Sequence, residues 1–460
     1  MGAFMENKYD IIVNYIENEI KKESFKSKLP SIRALAIKFS CSNSTVIRAY
    51  SELEKKGSIY SMPKSGYFIL ENSLFKQNNL VQDKFDFSSG EPNEAIFPVA
   101  QFQKYIDIAI NSYGTSLFNY GHSDGFSELK TTLCNKYSEK GLNLTEESIY
   151  FSNGAQQSIS LLSLMRFHNN KDSILVESPS YNIYLGWLKL TKSKVYTIPR
   201  GKDGIDLNLL EDLFKNKDLK FFYTMPRLHN PLGTSYDEET KKQILYLANK
   251  YDVYILEDDY LSELNDVSNK PIKSYDSFEK VIYLKTFSKI LLPGARLAAI
   301  SLPEKIVEDF RQFKTFCELQ GNAVFQCALN EYILSTDYDD YIQNLKVHYD
   351  KKMDILKEII NENSDLNLNF TNPTSGLFSL IHLPKNLNME EFLSNLRGNK
   401  IYIRHGKYFY YNNSENINTA RISVAKCNEK EISHGISTLF DILRESLKSN
   451  IIKKPEILEL

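Results

Sequence analysis

Near the start of the chain, apolar positions recur at helical spacing in successive stretches. The first stripe consists of Tyr9, Ile12, Val13, Ile16 and Ile20. Ser31 is a good N-cap for a second helix over residues 32–39, in which Ile32, Leu35 and Phe39 face one way. A turn at residues 41–44 follows, so the pattern predicts two short helices and the start of a third.

The third helix is predicted over residues 45–55, and Gly57 ends it. Its inner stripe is formed by Val46, Ala49, Tyr50 and Leu53. That stripe leaves Ser44, Thr45 and Arg48 facing outward. Residues 58–61 and 67–69 then flank a Pro-Lys-Ser-Gly turn as a short hairpin. Three helices and a hairpin predict a winged helix-turn-helix over residues 1–70, whose third helix enters the major groove of DNA.

The chain changes character after this first unit. Residues 71–84 are polar, rich in Asn and Gln and without a sustained period, so we interpret them as an inter-domain linker. From residue 85 onward, short β-branched or aromatic runs alternate with helical patterns. The runs cover residues 149–151, 174–177, 221–224, 253–256 and 281–284. This alternation predicts an α/β unit over residues 85–460, with a mostly parallel sheet covered by helices.

Charge and cysteine usage narrow the function classes. Lys and Arg number 56 against 58 Asp and Glu, a net charge of −2, so the whole chain is no polycation. Residues 1–70 nevertheless hold eleven Lys and Arg against seven Asp and Glu, which favours local contact with nucleic acid. The five Cys are widely spread without a C-x-x-C pair, so we expect reduced thiols and no metal site. Without an apolar run of about 18 residues or a secretory pattern, we expect a cytoplasmic protein with no membrane partner.

Four blocks of the first unit resemble the GntR-type DNA-binding domain. They are Leu-Pro-Ser-Ile-Arg-Ala-Leu-Ala (29–36), Ser-Asn-Ser-Thr-Val-Ile-Arg-Ala-Tyr (42–50), Leu-Glu-Lys-Lys-Gly (53–57) and Lys-Ser-Gly-Tyr-Phe (64–68). The resemblance implies double-stranded DNA as a partner, contacted by Arg33, Ser44, Thr45, Arg48, Lys64 and Gly66. Asn43 stands where the family often has an arginine. Any single Arg or Lys here is more often a solvated surface charge, but the ordered blocks favour DNA contact.

Polar and glycine-containing segments follow each predicted strand of the larger unit. In chain order they begin at Ser152, Ser178, Pro226, Glu257 and Lys285. Ligand residues gather at the carboxyl ends of parallel strands. A pyridoxal phosphate site needs an amine, a carboxylate beside the pyridine nitrogen, donors to the phenolate oxygen, a stacked ring and an anion cradle, and these segments contain each of them. Singly, each residue is more often structural; their order at strand ends favours the cofactor site.

These segments resemble fold type I aminotransferases, and with the first unit they resemble MocR-type regulators. Supporting blocks are Phe-Ser-Ser-Gly-Glu-Pro (87–92), Tyr-Gly-His-Ser-Asp-Gly (120–125), Val-Glu-Ser-Pro-Ser-Tyr (176–181) and Thr-Phe-Ser-Lys (286–289). The resemblance implies a fold type I domain with a large subdomain at about 115–330 and a smaller C-terminal α+β subdomain at 331–450. It also implies a homodimer.

The same resemblance assigns roles to particular residues. Lys289 would be the catalytic lysine that carries pyridoxal phosphate as an internal aldimine, and Asp258 would pair with the pyridine nitrogen. The other implied cofactor contacts are Asn230 and Tyr260 at the phenolate oxygen, Tyr181 on the ring, and Ala155, Gln156, Ser288 and Arg296 at the phosphate.

An arginine late in the chain is a candidate for the carboxylate of an effector. Arg421 lies in a probable strand, residues 417–424, and a guanidinium fork matches both carboxylate oxygens. Arg404 and His405 are the alternatives. Lys285 stands where the family usually has glycine, and we expect it near the phosphate pocket or a neighbouring subunit.

Two functions remain open from the sequence. In the first, the chain is a transcriptional regulator in which pyridoxal phosphate, or an amino compound that reacts with it, changes DNA binding. In the second, it is a working aminotransferase with an accessory DNA-binding domain. The Asn-Pro-Leu-Gly segment at residues 230–233 is closer to the enzymes than to many of the regulators.

Overall fold

The computed structural model describes residues 8–21, 24–25, 28–55, 59–62, 66–69, 84–121, 123–371, 373, 375–412 and 418–452. The chain divides into two compact units, Met1–Gln82 and Asp83–Leu460. Of the predicted linker, residues 71–84, all but Lys84 lie outside the described residues.

In its described residues, the first unit contains three helices and a hairpin. The elements are α1 (Lys8–Lys21), α2 (Ile32–Lys38), α3 (Asn43–Lys55), β1 (Ile59–Met62) and β2 (Gly66–Ile69). The two strands pair antiparallel, with Ile59 opposite Ile69. Their core is built from the predicted inner stripes, and Ile12, Ile16, Val46, Tyr50 and Leu53 are fully buried. The winged helix-turn-helix prediction is confirmed.

Local capping sets the helix starts. The Ser31 side chain accepts a hydrogen bond from the Ala34 N–H, as its N-cap prediction requires. The third helix starts at Asn43, two residues before the predicted start, and the Thr45 N–H donates to Ser42 Oγ at 3.2 Å. Ser42 therefore caps this helix, although the sequence pattern assigned Ser42 to a turn.

A large mixed sheet forms the centre of the second unit. Its strands are β4 (Ile149–Ser152), β5 (Ser173–Ser178), β6 (Val195–Gly201), β7 (Gly204–Ile205), β8 (Leu219–Thr224), β9 (Tyr254–Asp258), β10 (Val281–Thr286) and β11 (Ala298–Ser301). Among the described residues their order is β4-β11-β10-β9-β8-β5-β6-β7. The β10-β9-β8-β5-β6 run is parallel, whereas β11 is antiparallel to both neighbours and β7 to β6. The fold-class prediction is confirmed, and the five predicted strands are all present.

Helices cover this sheet. In the same half of the chain they are α4 (Val99–Tyr113), α5 (Ser127–Ser138), α6 (Ala155–Leu164), α7 (Asn182–Leu190), α8 (Leu207–Asn216), α9 (Glu238–Lys250), α10 (Glu304–Cys317) and α11 (Ala323–Ile333). Strands β5, β8, β9 and β10 are almost completely buried because apolar clusters lie on both of their faces. Burial on both faces explains why these strands have continuous apolar runs in the sequence.

The C-terminal part of the second unit combines a second sheet with long helices. Its helices are α12 (Thr336–Glu362), α13 (Met389–Gly398) and α14 (Glu429–Ile452). Its sheet has the order β12 (Asn369–Phe370), β13 (Phe378–His382), β16 (Thr419–Ser423) and β15 (Arg404–His405). In addition, β3 (Phe85–Asp86) pairs in parallel with β14 (Ile401–Tyr402). The segment after the predicted linker therefore packs with the C-terminal part of the chain.

None of the helices in the described ranges is long and apolar enough to cross a membrane.

Candidate functional site

Ends of five strands meet at one cavity of about 380 Å³. All ten residues with an implied cofactor or effector role line it. They are Ala155, Gln156, Tyr181, Asn230, Asp258, Tyr260, Ser288, Lys289, Arg296 and Arg421. Arg404, the alternative arginine, lines it as well. The structure therefore brings together residues that are separated by up to 266 positions in the sequence.

Lys289 presents its amine inside the cavity. Its Nζ donates to the Gly90 carbonyl oxygen at 2.7 Å. Burial lowers the pKa of Lys289 to about 8, and the nearby Arg421 guanidinium acts in the same direction. A larger share of this amine is therefore neutral near neutral pH than for an exposed lysine, and the neutral form is the nucleophile.

Asp258 is the last residue of β9, and its two carboxylate oxygens have different surroundings. Oδ2 accepts from the Tyr223 hydroxyl at 2.8 Å, whereas Oδ1 is buried without a hydrogen-bond partner among the described residues. Burial raises the pKa of Asp258 to about 7, against the Tyr223 hydrogen bond, which lowers it. A buried oxygen without a partner is costly, so this position fits an N–H donor such as a protonated pyridine nitrogen.

The start of α6 supplies an anion cradle. Gly154 precedes the helix with φ of +81°, a conformation that suits glycine. The Gln157 N–H donates to the Gly154 carbonyl at 3.1 Å, whereas the amides of Ala155 and Gln156, the first two of the helix, are the ones that a helix start leaves without a backbone partner. A Cβ at Gly154 would collide with the Arg296 guanidinium. Arg296 Nη1 lies 3.3 Å from Ser288 Oγ. Free amides, a hydroxyl and a guanidinium together fit a phosphate group.

Arg421 on β16 connects two sides of the cavity. It is buried; Nη1 donates to Asn230 Oδ1 at 2.9 Å, and Nη2 donates to the Ser88 carbonyl at 2.6 Å. Because its oxygen is engaged by Arg421, the Asn230 side chain retains its amide N–H groups as donors. Tyr260 donates its hydroxyl proton to the Leu228 carbonyl at 2.6 Å, so the implied donation to a phenolate oxygen requires this hydroxyl to turn.

A buried ionic network lies beside the Asn230 loop, and the sequence did not reveal it. Glu177, at the end of β5, accepts from Arg200 Nη1 at 2.6 Å and from Thr224 Oγ1 at 2.6 Å. His229 Nε2 lies 3.1 Å from Glu177 Oε2. Burial and Arg200 lower the pKa of His229 to about 4, which leaves this imidazole neutral at pH 7. The network anchors His229, the residue immediately before Asn230. The sequence signal for this network was the Glu177 carboxylate at the end of an apolar strand run.

The structure corrects the expectation that Lys285 lies near the phosphate pocket. Its amine bonds to Glu263 in a buried ion pair, and both side chains are almost fully inaccessible to solvent. Thr286 lines the cavity, whereas Lys285 points to the other face of the sheet because successive strand residues alternate. Lys285 therefore does not lie at the phosphate cradle.

Five of the six predicted DNA-contact residues lie on α2, α3 and β2. Arg33 on α2 and Ser44 and Arg48 on α3 are exposed. Thr45 is half-buried, and its Oγ1 lies 2.9 Å from Ser42 Oγ. Gly66 starts β2 with φ of +103°. The remaining candidate, Lys64, lies outside the described residues.

Comparison with known families shows which family the chain belongs to. Residues 82–439 match the family model "Aminotransferase class I and II". The chain belongs to this family. Residues 8–69 match the model "Bacterial regulatory proteins, gntR family". This aminotransferase-family chain therefore has the MocR-type architecture, in which a GntR-type domain precedes an aminotransferase domain.

Individual proteins show the same two likenesses. The chain is 33% identical over 443 residues to the HTH-type transcriptional regulator YcxD of Bacillus subtilis, covering 95% of this chain and 100% of that protein. It is 25% identical to the HTH-type transcriptional regulator NorG of Staphylococcus aureus, covering 91% and 100%. Among solved structures, Pyrococcus horikoshii kynurenine aminotransferase is similar with a TM-score of 0.74 and 28% identity, covering 79% of this chain and 92% of that one.

Proposed function

We propose that this chain is a DNA-binding transcriptional regulator whose aminotransferase-like domain binds pyridoxal phosphate and senses it, or an amino compound, to change DNA binding. The observation that carries the proposal is the single cavity in which the Lys289 amine and the unpaired Asp258 oxygen are both buried. The GntR-type domain on the same chain supplies the link to DNA and supports a location with the DNA, in the cytoplasm.

Each part of the cofactor has a matching group. Lys289 would hold the aldehyde carbon, Asp258 the pyridine nitrogen, and Tyr181 the face of the ring. Asn230 and Tyr260 would face the phenolate oxygen, and the phosphate would lie at Ala155, Gln156, Ser288 and Arg296. When bound, the cofactor supplies an electron-withdrawing ring conjugated to the amino group that it carries.

The protein residues would then orient the ligand. Arg421 would bind a carboxylate of the amino compound through its guanidinium fork, and its Nε is buried without a partner in the described part of the chain. The low pKa of Lys289 keeps part of this amine ready to accept or release a proton. Asp258, held by Tyr223, would keep a positive charge on the pyridine nitrogen.

Regulation requires differential binding. A ligand changes DNA affinity only if it binds one arrangement of the chain better than another. Pyridoxal phosphate alone, or an amino compound that reacts with it, would be the effector.

A second copy of the chain is the proposed partner of an apolar surface. Phe118, Tyr120 and Leu319 line one shallow hollow, and Phe316 lies three residues before Leu319. Their exposures are 68%, 88%, 63% and 90%. Adjacent exposed large apolar side chains are typical of protein interfaces. Together with the homodimer implied by fold type I, this surface supports pairing of two copies.

An active aminotransferase is the second candidate. All ten implied site residues line the cavity, and the similar solved structures include an aminotransferase. Conversion of a keto acid over many cycles by the purified chain would favour the enzyme. A single stoichiometric reaction without further turnover would favour the regulator.

Cofactor uptake tests the proposal. We expect the purified chain to acquire visible absorbance on addition of pyridoxal phosphate, and Lys289→Ala to lose that band. Lys385→Ala, which removes an exposed lysine, is the matched control and should keep it. An unchanged band in Lys289→Ala would contradict the assignment.

A further inference from the structure

One face of α3 points away from the core of the first unit. The inner stripe of this helix packs into that core, and four residues on the opposite side are exposed: Ser44, Ile47, Arg48 and Ser51. Their spacing of three, one and three positions places them on one side of the helix. A helix that enters the major groove presents such a face to the edges of the base pairs. These four side chains are therefore placed to read the DNA sequence.

Ile47 differs from the other members of this face. Among the described side chains of α3, it is the large apolar one that is exposed, at 46%. Ser44 and Ser51, one turn before and one turn after it, have short side chains, so the bulkier Ile47 side chain lies between two small ones. A lone exposed isoleucine is common on protein surfaces. This one, however, lies on the face that DNA covers, where contact with a base would remove its methyl groups from water.

Contacts within the first unit orient the polar side chains of the same face. Ser44 Oγ lies 2.7 Å from Ser42 Oγ, and the Arg48 guanidinium carbon lies 4.9 Å from the centre of the Tyr9 ring on α1. Both side chains keep N–H or O–H groups for phosphate oxygens or base edges. Ile47 has no polar group in its side chain. It can therefore distinguish base pairs only through apolar contact.

Thymine offers the matching group. In the major groove the bases present hydrogen-bond donors and acceptors, and the apolar group among them is the C5-methyl of thymine. An isoleucine packed against another base edge would remove polar atoms from water without bonding to them. We propose that Ile47 contacts the methyl group of one thymine in the DNA site bound by each copy of the first unit, and so specifies an A·T pair there. This inference rests on the DNA-binding part of the proposed function and is independent of the cofactor.

Deletion of single methyl groups from the DNA tests this proposal. In an operator duplex selected with the full chain from random DNA, each thymidine in turn is replaced by deoxyuridine, which lacks only the methyl group. Fluorescence anisotropy at fixed salt measures the dissociation constants. We expect one such replacement to weaken binding by wild type about fourfold, which corresponds to one buried methyl group. Ile47→Ala, in which alanine still favours the helix, should bind this duplex and the unmodified one equally. Ile11→Ala, at an exposed position on α1, is the matched control and should keep the fourfold difference.

Restoring the methyl group on a different base gives a second readout. At the sensitive position, cytosine in place of thymine should weaken binding by wild type, and 5-methylcytosine should recover part of that loss. Ile47→Ala should bind the cytosine and 5-methylcytosine duplexes equally. If no deoxyuridine replacement weakens binding by wild type, or if the same methyl effect persists in Ile47→Ala, the inference is overturned. Failure of the full chain to select any DNA sequence would instead overturn the DNA-binding part of the proposed function.

Discussion

At the scale of residues, the cavity holds Lys289 and Asp258 in states that differ from those of exposed side chains. Burial lowers the pKa of the Lys289 amine and raises the pKa of the Asp258 carboxyl. Both shifts favour the neutral form, as expected for ionisable groups removed from water. A protonated pyridine nitrogen beside Asp258 would supply the counter-charge that the ionised carboxylate needs.

Uptake of pyridoxal phosphate by the cofactor-free chain should depend on pH through Lys289. Because the pKa is lowered to about 8, the neutral amine should increase as pH rises from 6, reach one half near pH 8 and level off about one to two pH units higher. At pH 7 roughly one tenth is neutral, against less than about one in a thousand for an ordinary lysine. The rate of uptake, followed by absorbance after rapid mixing, should have its midpoint near pH 8. A midpoint above about pH 10 would show an unperturbed lysine.

Sequence patterns identified the residues of the cavity but not the groups that support them. Lys289, Asp258 and Arg421 were identifiable because each carries chemistry at the end of a strand or inside one. Glu177 and His229 were missed because their burial depends on contacts with β6 and the loop after β8. The expectation of Lys285 at the phosphate pocket was wrong because proximity to Lys289 in sequence does not reveal which face of β10 a side chain occupies.

At the scale of elements, the ends of β5, β6 and β8 are tied together by one carboxylate. Burial alone would raise the pKa of Glu177, but Arg200 and His229 hold the pKa well below its usual range. Glu177 also accepts from the Met225 N–H, which starts the loop that carries Asn230. This carboxylate therefore stabilises the strand ends from which the cavity is built.

Glu177→Gln should destabilise the second unit strongly. The substitution leaves the buried Arg200 guanidinium without its counter-charge, which costs about 3–5 kcal/mol. Chemical denaturation in urea, followed by circular dichroism, measures the change in free energy of unfolding. Glu308→Gln, which breaks an exposed Glu308–Arg311 pair on α10, is the control and should have little effect. Equal stability of Glu177→Gln and wild type would contradict this account of the network.

Helix α3 should carry much of the DNA recognition. Arg48 is exposed on this helix, and its guanidinium carbon lies 4.9 Å from the centre of the Tyr9 ring. We expect Arg48→Gln to weaken binding to a selected operator duplex by about 1–3 kcal/mol. Fluorescence anisotropy titration at fixed salt measures this loss, with Lys305→Gln in the second unit as a control of equal charge change. Wild-type affinity in Arg48→Gln would remove Arg48 from the interface.

Strand prediction succeeded where a segment has a run of strand-forming residues and missed strands that lack such a run. The five predicted strands are rich in β-branched and aromatic residues, which favour sheets. Strand β6 contains Pro199, and β11 begins with two alanines, so neither has a strong strand pattern. The position of β11 between β4 and β10 depends on long-range pairing, which local sequence does not encode.

At the scale of the whole molecule, the exposed apolar surface predicts a dimer. Phe316→Asp places a charge three residues before Leu319, which lines the apolar hollow with Phe118 and Tyr120, so we expect the dimer to dissociate. Sedimentation equilibrium over a range of concentrations measures the mass. Tyr246→Asp, at an exposed position on α9, should leave the mass unchanged. A monomeric wild type, or a fully dimeric Phe316→Asp, would contradict this interface.

The most direct test measures in one experiment whether binding of the cofactor changes binding of DNA. The dissociation constant for an operator duplex, selected with the full chain from random DNA, is measured with and without pyridoxal phosphate for wild type and Lys289→Ala. We predict that the cofactor changes the dissociation constant of wild type and leaves that of Lys289→Ala unchanged. The same constant for wild type in both conditions, or an equal change in Lys289→Ala, would contradict regulation through this cavity.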